Sequence, residues 1–381
     1  MKIGIIHPDL KSPGGADAVC VNTIEALKDD HEIDLITVRE PDFTYLNDFF
    51  GADAEVDRVR VPSSSRLVNR SGDYTQRFLN IGLDRMKKAI LNRYAQRNEG
   101  DFDLIISTKN EISVEKVPTV QYFHVPQYTG GTIPGVVGNQ HLLLPIYYRV
   151  CKYVGGFDLQ FDDTDQILSN SEWTAQMVEK AYGVKAQVVY PPINPPETVR
   201  PFEERENGFL CIGRIVPSKN IHDVIDIIGG VVERGHNVHL HIIGPTSSTQ
   251  YESEIRDRAE VHEWLYFDGE LAKTEFDEAI SSHKFGIHGR EFEHFGISIA
   301  EMAMSGVIPF VPDSGGQTET VDRRNELIFH DKTSAIDKIT DVVTYSDIQK
   351  PLSRELKESG SRFGQERFKT EIRSVVESVT K

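Results

Sequence analysis

The stretch "EFEHFGISIAE", Glu291 to Glu301, puts two carboxylates, Glu293 and Glu301, eight positions apart around a Phe-Gly pair. Apolar periodicity predicts a helix from about Ile297 to Ser305, with Gly306 as its stop. The unsatisfied amides and positive dipole end of that helix would lie at Phe295, Gly296 and Ile297, suited to sugar hydroxyls or a phosphate. A carboxylate accepts two hydroxyls at once and so fits a vicinal diol of a sugar or ribose. The following loop, "DSGGQTE", offers further backbone donors at Ser314, Gly315 and Gly316. Taken singly, Glu301 reads as a helix-surface acid and Glu293 as a loop acid; the combination is more specific than either.

Other residues add to this chemistry. Arg214 and Lys219, in "CIGRIVPSKN", follow an apolar strand-like run and precede a helical pattern. A planar guanidinium fork and an ammonium suit a diphosphate there, although lone loop cations are commonly just solvated. Gly14-Gly15, in "HPDLKSPGGAD", ends the loop after the first strand and can bring amides to a ligand at a helix start. It is not the G-x-G-x-x-G dinucleotide fingerprint, and a simple strand-to-helix turn explains it as well. His124, in "YFHVP", ends another strand-like run. No metal is expected. His288, Glu291, Glu293 and His294 lack the H-E-x-x-H spacing, and the acidic triplets near Asp101 and Asp162 read as solvated loops.

The elements that must carry these residues are short apolar runs alternating with helical patterns, which imply parallel sheets covered on both faces. Twelve such runs are legible, from "KIGII" to "LIFH". They are too many for one doubly wound sheet. The Pro-rich stretch from Tyr190 to Gly208 divides them. The expected fold is α/β with two Rossmann-like domains facing across a cleft. The expected spans are 1–190, a linker over 191–206, a second domain over 207–360, and a helix over 361–381 packing back on the first domain. Ligands in such sheets bind beyond the carboxyl ends of the strands.

The 381 residues carry 59 acidic and 42 basic side chains, a formal charge of −17 that argues against a nucleic-acid partner. Three scattered cysteines, Cys20, Cys151 and Cys211, fit buried, reduced thiols in a cytoplasmic protein. No run is long and apolar enough to span a bilayer, and no signal peptide is evident. One region is locally basic. From Arg58 to Arg97, ten cations (including Arg66, Arg70 and Arg77) face only Asp73 and Asp84. Part of it, "LDRMKKAILNRYAQR", reads as an amphipathic helix. It could meet the anionic cytoplasmic face of a membrane, or simply be a solvated helix face.

"GRIVPSK", "EHFGISIAE" and "DSGGQTETV", in this order and spacing, resemble family 4 retaining glycosyltransferases of the GT-B fold, with Glu293 and Glu301 in the place of that family's E-x7-E pair. "FHVP", "CKYVGGFD", "LSNSEWTAQMV" and "VVYPPIN" are similar to the α-1,2-mannosyltransferases of dolichol-linked oligosaccharide assembly. The resemblance weakens from about Pro41 to Gly100. It implies transfer of mannose from GDP-mannose, a nucleotide-sugar donor, to a glycan or lipid-linked acceptor, without a cofactor. It implies that Arg214 and Lys219 hold the donor diphosphate and that Glu301 binds the ribose. Glu293 and the backbone of Phe295, Gly296 and Ile297 would meet the hexose, with His124 near the reaction centre and Gly14 and Gly15 near the phosphates. Gln317 departs from the family pattern, which has an apolar residue after the Gly-Gly pair. A nucleotide-sugar 2-epimerase and a non-catalytic sugar-nucleotide-binding scaffold remain as alternatives.

Overall fold

Parallel strand pairing organises both halves of the chain. The computed structural model describes residues 1–11, 13–65, 83–128, 144–162, 164–246 and 249–379. They form two units, Met1–Pro192 with Gln365–Lys381, and Ile193–Gly364.

The first unit contains β1 (Lys2–Ile6), β2 (Glu32–Ile36), β3 (Arg58–Arg60), β4 (Leu104–Ser107), β5 (Thr119–Phe123), β6 (Gln166–Ser169) and β7 (Gln187–Val188), in the order β3-β2-β1-β4-β5-β6-β7. Every pairing is parallel. Strands β4 and β5 are buried at each residue, so runs such as "LIIS" need no polar alternation. The helix Gln365–Val379 completes this unit. Its Phe368, Ile372, Val375 and Val376 join the cluster that holds Ile3, Ile24 and Leu27.

Strand β3 has no counterpart among the runs expected from sequence. Its single Val59 sits between Arg58 and Arg60, so no apolar run marks it. It lies at the sheet edge, and the Arg60 guanidinium donates to Asp34 and to Asp101, each at 2.6 Å.

The second unit contains β8 (Glu206–Ile212), β9 (His239–Ile243), β10 (Leu265–Gly269), β11 (His283–Ile287), β12 (Ile308–Pro312) and β13 (Ile328–Phe329), in the order β10-β9-β8-β11-β12-β13. Its strands are also parallel throughout. Phe209 on β8 stacks on Phe285 of β11 at 5.0 Å between ring centroids, at the centre of a core that spans the sheet. From β8 the chain moves to β9 on one side, and from β11 to β12 on the other. That divergence opens a crevice at the carboxyl ends of β8 and β11.

The segment read as a linker over 191–206 is not separate. Ile193 donates its amide to the Phe363 carbonyl at 2.8 Å and pairs with Gly364 inside the second unit. An extended, Pro-rich chain can still be tied by one well-placed backbone bond. Residues 361–364 stay with this unit, and the returning helix starts at Gln365. All three cysteines are free and buried. No helix among the described residues is long and apolar enough to cross a membrane.

Candidate active site

Three loops leave adjacent strands of the second unit. The loop after β8 carries Arg214 and closes in a 3-10 turn, Pro217–Lys219. The loop after β11 carries His288 through Gly296. The loop after β12 carries Ser314, Gly315 and Gly316.

Lys219 and Glu293 meet across the first two loops, Nζ to Oε2 at 2.6 Å. His288 Nε2 lies 3.4 Å from that ammonium and 3.5 Å from that carboxylate, and Arg290 Nη1 lies 3.5 Å from the carboxylate. Burial alone would oppose a charge on Glu293. The cations Lys219 and Arg290, the nearby His288 and the hydrogen bond from Lys219 outweigh it and hold the carboxyl well below the usual range. Burial, with Lys219 beside it, pulls His288 down to about 3, so it is a neutral imidazole. Arg214 is exposed and shares the lining of a small hollow with Lys219 and His288.

The Gly-Gly loop differs from its expected role. Gly316 N–H donates to the Glu293 carbonyl and Ser314 N–H to the Pro312 carbonyl, both at 2.8 Å. Ser314 Oγ accepts from Phe292 N–H at 2.9 Å. The amides of Ser314 and Gly316, read as free donors for a ligand, are thus spent on clamping the Glu293 loop. Gly315, at φ 75°, pairs with Glu293, and a Cβ there would come within 2.3 Å of the Glu293 carbonyl oxygen. Only glycine allows two backbones that close.

Gln317 is fully buried, and its amide donates to the Arg290 and Ser314 carbonyls, each at 2.9 Å. The departure from the family pattern is therefore a crosslink between the loop bearing Glu293 and the loop after β12.

The helix Ile297–Met304 starts from Gly296 at φ 91° and stops one residue before the expected Ser305. Phe295 is core: its ring packs edge-on to Phe363 at 5.3 Å. Glu301 is half-buried a turn along this helix. It shares a face with Ser298, whose hydroxyl donates to the carbonyl of Ile212 at the end of β8, at 3.1 Å. Burial pushes the Glu301 carboxyl up to about 7, against Lys273 and with Asp277.

The first unit gathers its own polar group beyond β1, β4 and β5. His7 Nε2 is 2.7 Å from Asp17 and its Nδ1 is 2.9 Å from the Thr108 hydroxyl. Asp17 stands in the first turn of the helix Gly15–Leu27, which Gly14 caps. His124 Nε2 is 3.1 Å from the Thr108 carbonyl, and Asn110 Oδ1 accepts from the His124 and Val125 amides at 2.7 and 3.0 Å. Burial, then the charge of Lys109, brings His124 down to about 3. Lys88, in the helix Asp84–Asn98, is buried, and its Nζ has no hydrogen-bond partner among the described residues. Burial draws it down to about 7.

The sequence reading missed His7, Asp17, Arg290 and the structural part played by Gln317, and took Lys88 only as one cation of the basic run. Only "HGREFEH" carried a signal for Arg290, as a cation three residues from Glu293. Of the basic run, Arg66, Arg70 and Arg77, with the opposing Asp73, lie outside the described residues. Most of the rest is engaged internally. Lys87 pairs with Asp9 at 2.8 Å, Arg85 reaches the Gln127 carbonyl, and Arg93 bonds the Val154 carbonyl at 3.2 Å, while Arg58 and Arg97 are exposed.

Comparison with known proteins matches both halves of the chain. Residues 13–197 match the model described as Glycosyltransferase Family 4, and residues 197–362 match that of Glycosyl transferases group 1. A Candida glabrata protein named GDP-Man:Man(3)GlcNAc(2)-PP-Dol alpha-1,2-mannosyltransferase is 26% identical over 59% of this chain and 53% of its own length. One of the same name from Dictyostelium discoideum is 22% identical over 60% of this chain and 48% of its own. The chain thus spans about half the length of these relatives. Among solved structures, Anabaena HepE in complex with UDP and glucose superimposes with a TM-score of 0.68 at 14% identity, covering 99% of this chain and 100% of that one. WaaG, a glycosyltransferase involved in lipopolysaccharide biosynthesis, gives 0.68 at 12% identity, covering 94% and 95%. With both halves of the chain matched and the Lys219–Glu293 site at the carboxyl ends of its strands, the protein belongs to the family 4, group 1 glycosyltransferases and has their GT-B fold.

Proposed function

We propose that this chain transfers a hexose, mannose from GDP-mannose, to a glycan or lipid-linked acceptor with retention at the anomeric carbon. The Lys219–Glu293 pair at 2.6 Å carries the reading. With no donor bound, the two neutralise each other. A diphosphate competes for the ammonium, and the carboxylate so released accepts hexose hydroxyls. As the glycosidic bond breaks, negative charge grows on the leaving diphosphate. Lys219, Arg214 and the amides at the start of the helix Ile297–Met304 stabilise it. Glu301 takes the ribose diol. The printed names of the curated relatives support mannose and GDP, and the UDP complexes of the HepE structures support a nucleotide-sugar donor in general.

In the first unit, the neutral His124 is assigned to the acceptor side. The unpartnered Lys88 suits the phosphate of a lipid-linked acceptor. Peripheral contact with an anionic membrane falls to the helix Leu144–Gly155 more than to the cations first considered. Its Ile146, Val150 and Tyr153 are 57%, 45% and 85% exposed on one face, with Arg149 and Lys152 exposed beside them.

A donor screen tests the central claim. GDP-, UDP- and ADP-sugars are incubated with the protein and a lipid-linked oligosaccharide acceptor, and the product's anomeric configuration is read by NMR. GDP-mannose should give an α-linked product, and Lys219→Ala should lower turnover about 100-fold or more while the fold persists. Wild-type turnover in Lys219→Ala would refute the site. Conversion of donor without acceptor would favour an epimerase.

A further inference from the structure

The amino ends of the second unit's strands, opposite the loops just described, carry three histidines. His239 opens β9, His283 opens β11, and His241 follows His239 by two residues on the same face. Strand β8 runs between β9 and β11 and sets Gly208 opposite His239. One ring nitrogen from each histidine lies within 4.8 Å of the others. His239 Nε2 is 3.3 Å from His283 Nε2 and 3.5 Å from the carboxylate of Glu206.

Two of the other ring nitrogens are already committed. His283 Nδ1 is 2.8 Å from the Ala279 carbonyl, and His241 Nδ1 is 2.8 Å from Asp268 Oδ2. Both bonds place the proton on Nδ1 and leave Nε2 as a lone pair, which is how metal-binding imidazoles are oriented by carbonyls and carboxylates. Tyr266 stacks on the His241 ring at 4.7 Å and holds its plane.

Gly208 provides the room. A Cβ there would stand 2.2 Å from His239 Nε2 and 2.4 Å from His283 Cδ2. Glycine weakens a central strand, and its presence marks a close approach. Here the approach is of two imidazole nitrogens at 3.3 Å. Tetrahedral ligands on zinc, at bonds of 2.0–2.1 Å, are separated by about 3.4 Å.

We propose that His239, His241 and His283 bind one divalent transition-metal ion of the zinc class, in a structural site that ties β9 to β11 across Gly208 of β8. Three protein ligands leave the fourth position of a tetrahedral ion to water, and the part proposed for the ion is to hold the strands. The site stands on the strand ends away from Lys219 and Glu293 and is independent of the transfer reaction proposed above.

The untagged full chain, stripped with a chelator, is titrated with Zn2+ alone by calorimetry and by thermal unfolding. Co2+ absorption reports coordination number. One equivalent should bind and raise Tm, and Co2+ should give the intense visible bands of a four-coordinate site. His241→Gln should weaken binding at least tenfold. Asp268→Asn, which only orients His241, should weaken it about 10–100-fold. Gly208→Ala should abolish binding with every ligand still present. If Gly208→Ala does not fold, the partly exposed His241 and Asp268 variants still decide the matter. Absence of saturable binding to the wild-type chain, or wild-type affinity in both of those variants, overturns the proposal. So does binding without a rise in Tm.

Discussion

Glu301 and Glu293 belong to the same loop and helix yet are pushed in opposite directions. Glu293 gains cations; Glu301 is raised to about 7, chiefly by burial. The folded chain therefore keeps a proton on Glu301 from about pH 4.5 to 7, where the unfolded chain has released it. Fewer protons bound in the unfolded state means that this residue's contribution to stability falls as pH rises through that window. Glu301→Gln should stabilise the protein at pH 8 by on the order of 1–2 kcal/mol, allowing for its partial exposure, and by little at pH 4.5. Urea unfolding at the two pH values checks this, and equal gains at both would contradict it. Under the proposed function the same variant should bind nucleotide more weakly, a functional residue held at a cost in stability. The acid pair itself was legible from spacing. Its electrostatic asymmetry was not, because burial and the positions of Lys219, Arg290, Lys273 and Asp277 are three-dimensional facts.

Elements explain what a sequence pattern conceals. Strands such as β4 and β12 were legible because both faces are buried and the runs are short and almost wholly apolar. β3 was not, because an edge strand can be built from Arg58, Val59 and Arg60 when Asp34 and Asp101 receive one guanidinium. The Gly-Gly loop after β12 was read as a set of ligand donors, but hydrogen bonds to Pro312 and Glu293 take up two of its amides. Gln317 looked like a departure and is a crosslink. Gln317→Leu should leave the Arg290 and Ser314 carbonyls short of a donor and destabilise the second unit by about 1–3 kcal/mol. Turnover should drop further than stability alone explains, since the loop that sets Glu293 is loosened. Unchanged denaturant midpoint and turnover would show that the amide bonds carry no weight.

At the scale of the molecule, one exposed helix face and two cores matter. The helix Leu144–Gly155 turns Cys151 inward against Ala89 and Phe157 and leaves Tyr153 outward. Under the proposed function, sedimentation with anionic vesicles should pellet the wild-type chain, neutral vesicles should not, and Tyr153→Asp should lower the bound fraction several-fold. Equal pelleting with both vesicle types would remove the membrane reading. The first unit is built from both ends of the sequence: Phe368 and Ile372 of the last helix pack with Ile3 and Ile24, whereas the second unit is one continuous piece. The order of synthesis and the order of completion are therefore reversed. On the ribosome the Ile193–Gly364 unit can close as soon as it has emerged, while the opening residues wait for the last helix before their own interior is sealed. A chain cut after Gly364 should leave the earlier-made unit open to protease and the later-made one resistant.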